Sequence, residues 1–149
     1  MTHKKAKLYI DIDGVLLGKK EPNDYEICLA GGIRDFLAYA LWHFDCYWLT
    51  SRANHGDVRP ALEALKPYAD KVTMEMAKTV KPTTWSTLKT EAIDLKSDFY
   101  WFDDQLLQTE QEILKNAGCL DRWIRVDTRA NYSGLIAGKQ HLARLIQKI

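Results

Sequence analysis

What this chain lacks sets its first limits. It has no apolar segment near the roughly 20 residues that a membrane-spanning helix requires. After the basic start Met1-Thr2-His3-Lys4-Lys5 only the short run Leu8–Ile12 follows, which is no signal-peptide core. A soluble protein in a cytoplasmic setting, off the membrane, is expected. Cysteine is sparse: Cys28, Cys46 and Cys119 are odd in number, far apart and without Cys-x-x-Cys spacing. Neither a disulfide framework nor a zinc site is indicated, and reduced thiols are the expectation. An excess of either charge is also missing, since the formal net charge of +1 leaves no overall footprint for duplex nucleic acid. Internal repeats and low-complexity stretches are absent, and no segment marks a protein partner.

Within those limits, 149 residues suit one domain, and 46% hydrophobic with 28% charged residues is an ordinary globular balance. Five apolar runs read as short strands: Leu8–Ile12, Cys46–Leu49, Lys71–Met74, Phe99–Phe102 and Trp123–Val126. Phe99-Tyr100-Trp101-Phe102 shows no polar alternation, as a strand covered on both faces requires. Helices are predicted between the strands. Ile33, Phe36, Leu37, Ala40, Leu41 and Phe44 share one helical face. A helix from about Val58 to Leu65 starts near Asp57, tolerates Pro60 in its first turn and stops at Pro67. A helical segment from Trp85 would put Lys89 on the stripe of Trp85, Leu88 and Ala92. Leu106–Ala117 ends at Gly118, and Leu135, Leu142, Leu145, Ile146 and Ile149 give the last helix its buried stripe. Strands alternating with helices predict an α/β fold, a parallel sheet with helices on both faces. Such sheets bind ligands at the carboxyl ends of their strands.

The residues capable of chemistry gather at those ends. Asp11 and Asp13 close the first strand, where alternation would aim both side chains the same way. Such a pair repels itself unless a proton or a cation sits between its members. Mg²⁺, which takes a few hard oxygens plus water and phosphate, is the natural choice; an acidic turn after an edge strand is the plain alternative. Gly14 lets the chain turn sharply. Thr50 follows the second strand and can donate to an anionic oxygen, unless it or Ser51 merely caps a turn. Arg52 and His55 read as solvated rather than as substrate contacts. Two lysines, Lys81 and Lys89, compete to supply a cation. Lys89 is preferred, because it shares an inward face and an inward lysine needs carboxylates to meet it; for either, a solvated surface lysine is the alternative. Asp103-Asp104 ends the fourth strand, and the loop Asp127–Gly134, at the end of the fifth, is placed to line the site but is given no catalytic role. The long connection from Val15 to Gly32 is of a kind that is usually functional. A nicotinamide-dinucleotide site would need Gly-x-Gly-x-x-Gly after the first strand, where this chain has Asp-Ile-Asp-Gly-Val-Leu.

Asp11-Ile12-Asp13-Gly14-Val15-Leu16 resembles the first motif of the haloacid dehalogenase (HAD) superfamily, Asp-x-Asp-x-Thr/Val-Leu. Thr50, Lys89-Thr90-Glu91-Ala92-Ile93 and Asp103-Asp104 follow in the order of that family's second, third and fourth motifs, the lysine segment resembling its Lys-x-x-Ala-Leu/Ile form; Lys81-Pro82 resembles the form of other branches. The resemblance implies a Rossmann-like five-stranded sheet in the order 3-2-1-4-5, with a hairpin flap after the first strand and no substantial cap domain. It implies that Asp11 is the nucleophile forming an aspartyl-phosphate and Asp13 the general acid and base. Thr50 and Lys89 would hold the phosphoryl group. Mg²⁺ would be held by Asp11, Asp103 and Asp13 through its backbone carbonyl, with Asp104 behind Asp103 or replacing it. The expected activity is Mg²⁺-dependent hydrolysis of a phosphomonoester: a nucleic-acid end, a nucleotide or another small metabolite. The alternative is a Mg²⁺-dependent binding or regulatory module with little turnover. An open site suits macromolecular phosphates or small substrates enclosed by a second subunit of a homo-oligomer, and the near-neutral charge favours the small ones.

Overall fold

The computed structural model describes residues 4–147. In chain order the strands are β1 (Lys7–Ile10), β2 (Leu17–Gly18), β3 (Cys28–Leu29), β4 (Asp45–Trp48), β5 (Phe99–Asp103) and β6 (Trp123–Arg125); the helices are α1 (Ile33–His43), α2 (Arg59–Leu65), α3 (Lys71–Ala77), α4 (Gln108–Asn116) and α5 (Gly134–Ile146). Four strands form a parallel sheet in the order β4-β1-β5-β6, and β2 pairs antiparallel with β3 as a separate hairpin.

Alternation along the strands explains how the sheet is covered. Leu8 and Ile10 of β1 and Tyr100 and Phe102 of β5 face a core shared with α1, α2, α3 and α5, through Phe36, Leu37, Leu65, Ala77, Leu135 and Leu142. Tyr9, Phe99 and Trp101 face the opposite way, into a second core closed by Leu114 of α4 and by Ile93 and Cys119. Phe36 stacks on Phe102 at 5.4 Å between ring centroids, fixing α1 across the sheet. The architecture is α/β, compatible with a Rossmann-like arrangement. Among the described residues, no helix is long and apolar enough to cross a membrane.

Several expectations need correction. Lys71–Met74 is no strand but the start of α3: the Asp70 carboxylate accepts the Thr73 N–H at 2.8 Å as an N-cap, and Thr73 and Ala77, four apart, are the buried positions. Local capping outweighs the β-leaning pair Val72-Thr73. The five-stranded order 3-2-1-4-5 is therefore not met. The position outside β4 holds a single bridge at Lys81, whose N–H donates to the Cys46 carbonyl (2.9 Å) and whose carbonyl accepts the Trp48 N–H (2.8 Å). Two residues on, Thr83 meets β4 through its hydroxyl, which donates to the Trp48 carbonyl at 2.6 Å. The first strand stops at Ile10, two residues early. The segment after Trp85 is not an α-helix; it forms only a 3₁₀ turn at Lys89–Ala92. Asp57 accepts the Arg59 N–H at 3.0 Å, although Val58 occupies the cap position of α2. Gly118 ends α4 with a left-handed φ of 73°. Met1, Thr2, His3 and Ile149 lie outside the described residues.

Candidate active site

β1 lies between β4 and β5, so everything at its carboxyl end faces the ends of both neighbours. The Asp11 N–H donates to the Phe102 carbonyl at 3.1 Å, holding Asp11 against β5 just beyond the strand. The Asp11 Oδ1 accepts the Ile12 N–H at 2.8 Å. The chain then knots: the Ile12 carbonyl accepts the N–H groups of Val15, Leu16 and Leu17, and Gly14 turns with φ 79°. A side chain at Gly14 would be strained in φ and would overlap the Asp104 carboxylate, so the close approach of turn and β5 end requires glycine there.

Asp11, Asp103 and Asp104 each offer a carboxylate oxygen within 4.8 Å of the others. Asp103 is only 1% exposed and Asp11 6%. The Lys89 ammonium meets them at 2.6 Å from Asp103 Oδ2 and 3.2 Å from Asp11 Oδ2. Burial, and then the charge of Asp11, push the Asp103 carboxyl up to about 8 against the pull of Lys89. Burial works against the lysine's charge too, but Asp11 and Asp103 outweigh it and raise the Lys89 pKa. One ammonium thus stands against three carboxylates. The donor set is all hard oxygen, without thiolate or imidazole, which fits a Mg²⁺-type ion.

The carboxylate of Asp13 stands apart from this group. It is gripped side-on by Arg52, Nε to Oδ2 at 2.6 Å and Nη2 to Oδ1 at 2.8 Å. That hydrogen bonding holds Asp13 below the usual carboxylate range; partial burial opposes it, and the charges of Arg52 and Arg129 reinforce it. Strand alternation does not aim Asp11 and Asp13 together, because the strand has already ended. The Asp13 carboxylate is not part of the acidic cluster of Asp11, Asp103 and Asp104.

Thr50 lies at the end of β4, fully buried, and its Oγ1 accepts the Arg52 N–H at 3.2 Å, so it does cap the turn. Ser51, not Thr50, lines the cleft. Lys89 belongs to the cluster and Lys81 does not: Lys81 is exposed, 3.9 Å from Asp45 and over the Tyr47 ring. A cleft of about 260 Å³ opens over the acidic groups and Lys89, with Trp85, Leu107 and Arg129 also in its wall.

Glu110 escaped the sequence, Arg52 was read as solvated, and Arg129 belongs to the loop expected to line the site. Glu110 is buried, and its carboxylate accepts the backbone N–H of Lys89 (2.8 Å) and of Leu107 (3.3 Å), tying the lysine's turn to the start of α4. Its signal was its place as the third residue of that helix, where a glutamate reaches back to the cap. Arg52 had no local signal, since its partner is 39 residues away. Arg129 is held over the cleft by Thr128, whose buried hydroxyl donates to the Val15 carbonyl at 3.1 Å and whose N–H donates to the Gly14 carbonyl at 2.8 Å.

Compared with protein-family models the chain finds no match, and a search of curated proteins gives none either. What the site can do rests on its geometry: hold a hard divalent cation, offer a desolvated carboxylate beside it, and meet an anion with Lys89.

Proposed function

We propose that the protein is a Mg²⁺-dependent phosphohydrolase of the HAD type, acting on a phosphomonoester through an aspartyl-phosphate on Asp11. The observation that carries this reading is the meeting of Asp11, Asp103, Asp104 and Lys89 from three separate stretches of chain at one sheet end. Asp11, Asp103 and Asp104, with the Asp13 carbonyl, would hold the ion. When bound, Mg²⁺ supplies positive charge that lets an anionic nucleophile approach an anionic phosphate.

The chain's own groups do the rest. Asp11 attacks phosphorus in line while Lys89 stabilises charge on the transferring group. Asp13 gives a proton to the leaving oxygen and then takes one from the water that hydrolyses the intermediate. Arg52 keeps Asp13 ionised, the form needed for the second step. In the first step Asp13 must be protonated, which requires Arg52 to exchange it for another anion as substrate enters. Thr50 holds the Arg52 turn from behind, and Ser51 is the hydroxyl of this segment in the cleft wall, where it can donate to a phosphoryl oxygen.

The alternative, a cation-dependent binding module with little turnover, draws on the Arg52–Asp13 pair, which opposes an acid role. One assay separates the two. The chain should release phosphate from p-nitrophenyl phosphate with Mg²⁺ and not with EDTA, and Asp11→Asn should abolish release. Cation binding seen by calorimetry without any phosphate release would leave only the binding module.

A further inference from the structure

Two cations line the cleft, Lys89 and Arg129, and a third, Arg52, reaches it through Asp13. Lys89 serves Asp11 and Asp103, the carboxylates at the place of the transferring phosphoryl group. Arg52 and Arg129 serve the surroundings of Asp13: Arg52 grips its carboxylate, and Arg129 shares the cleft wall with it. On the hydrolase reading, on which this inference rests, Asp13 faces the leaving oxygen, so the guanidinium groups face the leaving alcohol. Arg129 makes no salt bridge among the described residues, although Asp127, Asp13 and Asp104 are all near its loop. Its backbone is nonetheless fixed, because its N–H donates to Asp127 Oδ1 at 3.2 Å and the preceding Thr128 is bonded to the Gly14–Lys19 stretch. An exposed guanidinium on a hydrogen-bonded stretch of backbone at a cleft wall, without a salt-bridge partner among the described residues, matches an anion that arrives with the ligand. A neutral alcohol would gain less from it, because pairing the guanidinium with an anion is the stronger, bidentate contact.

We propose that the substrate is a phosphomonoester whose leaving alcohol itself carries a second phosphate, and that Arg129 reads that second phosphate. Both a free bisphosphate and the phosphorylated end of a strand present this chemistry. Arg129 is then a specificity residue, separate from the groups that hold the transferring phosphoryl.

Calorimetry in MgCl₂ on the Asp11→Asn protein, which on the hydrolase reading binds without turning over, tests this. The ligands are adenosine 3′-monophosphate, adenosine 3′,5′-bisphosphate and a 3′-phosphorylated dinucleotide. The bisphosphate should bind about tenfold or more tightly than the monophosphate, the size of one charge-assisted contact. Adding Arg129→Gln should bring that ratio below about threefold while leaving the monophosphate nearly unchanged. Further tightening with the dinucleotide identifies a strand end and equal affinity a free bisphosphate; both uphold the proposal. A ratio near one, no binding of either adenosine ligand, or an Arg129→Gln protein that loses both alike overturns it. Phosphate release from p-nitrophenyl phosphate by the unsubstituted chain is scored separately: its absence sinks the hydrolase reading, while the binding ratio still decides the role of Arg129.

Discussion

Remove the ammonium of Lys89, and Asp11 and Asp103 face each other where little water reaches them. Breaking a buried ion pair from one side costs about 3 kcal/mol or more, because the charge left behind loses both water and partner. Lys89→Met should therefore lower the stability of the chain in EDTA by about 3 kcal/mol in urea denaturation. An unfolding free energy within about 0.5 kcal/mol of the parent would mean the three groups are not held together in solution. On the proposed function the same change should also slow phosphate release by a factor of about 10² to 10³. Lys89 was readable from sequence for a reason that survives a wrong helix: the 3₁₀ turn still brings it to the same side as Ala92, which packs on the core of Trp101 and Leu114. Asp11 and Asp103 were readable because each directly follows an apolar run. The Arg52–Asp13 pair was not, because it depends on two loops that no periodicity describes.

At the scale of elements, the hairpin β2–β3 and the loop after β6 behave as one unit. Thr128 bonds to Gly14, Val15 and Lys19, and Gly18 packs so tightly on it that a β-carbon would overlap the Thr128 carbonyl and hydroxyl. Gly18→Ala should thus cost about 1–3 kcal/mol through overpacking. It should also speed hydrogen exchange at the amides of Lys19 and Thr128, as measured by NMR. Unchanged exchange at both would show the two pieces to be independent. From sequence the hairpin was expected only through the family resemblance, while α1 and α5 were expected from the spacing of apolar residues and α4 from its charged ends and Gly118. The helix α3 was misread because seven residues hold too few turns for a 3.6-residue period to outvote a β-branched pair.

For the molecule as a whole, the acidic site ties stability to pH. The folded-state pKa of Asp103 is raised from the ordinary 3.8 to about 8, chiefly by burial. Between those values the folded chain keeps the Asp103 proton that the unfolded one has lost, so the contribution of this group is fullest below the ordinary value and falls as pH rises toward 8. A divalent cation that replaces the proton should remove that loss. The melting temperature in EDTA should fall from pH 5 to pH 8, and Mg²⁺ or Mn²⁺ should raise it more at pH 8 than at pH 5. Equal shifts at both pH values would argue against a cation on these carboxylates. The two-sided core behind this site was foreseeable in outline, from the unbroken apolar run of β5. Its asymmetry, four helices on one face against α4 on the other, was not, since it depends on where α2 and α3 cross rather than on any local pattern.

The single bridge at Lys81 reaches beyond the active site. An open β-edge invites a foreign chain to zip onto it, and here that seam is closed by one residue followed at once by Pro82, which cannot donate to a newcomer. At the far margin β6 is only three residues long, with the exposed Arg125 as its last residue. Both seams are too short and too interrupted to seed runaway stacking, a safeguard against fibrils at high concentration.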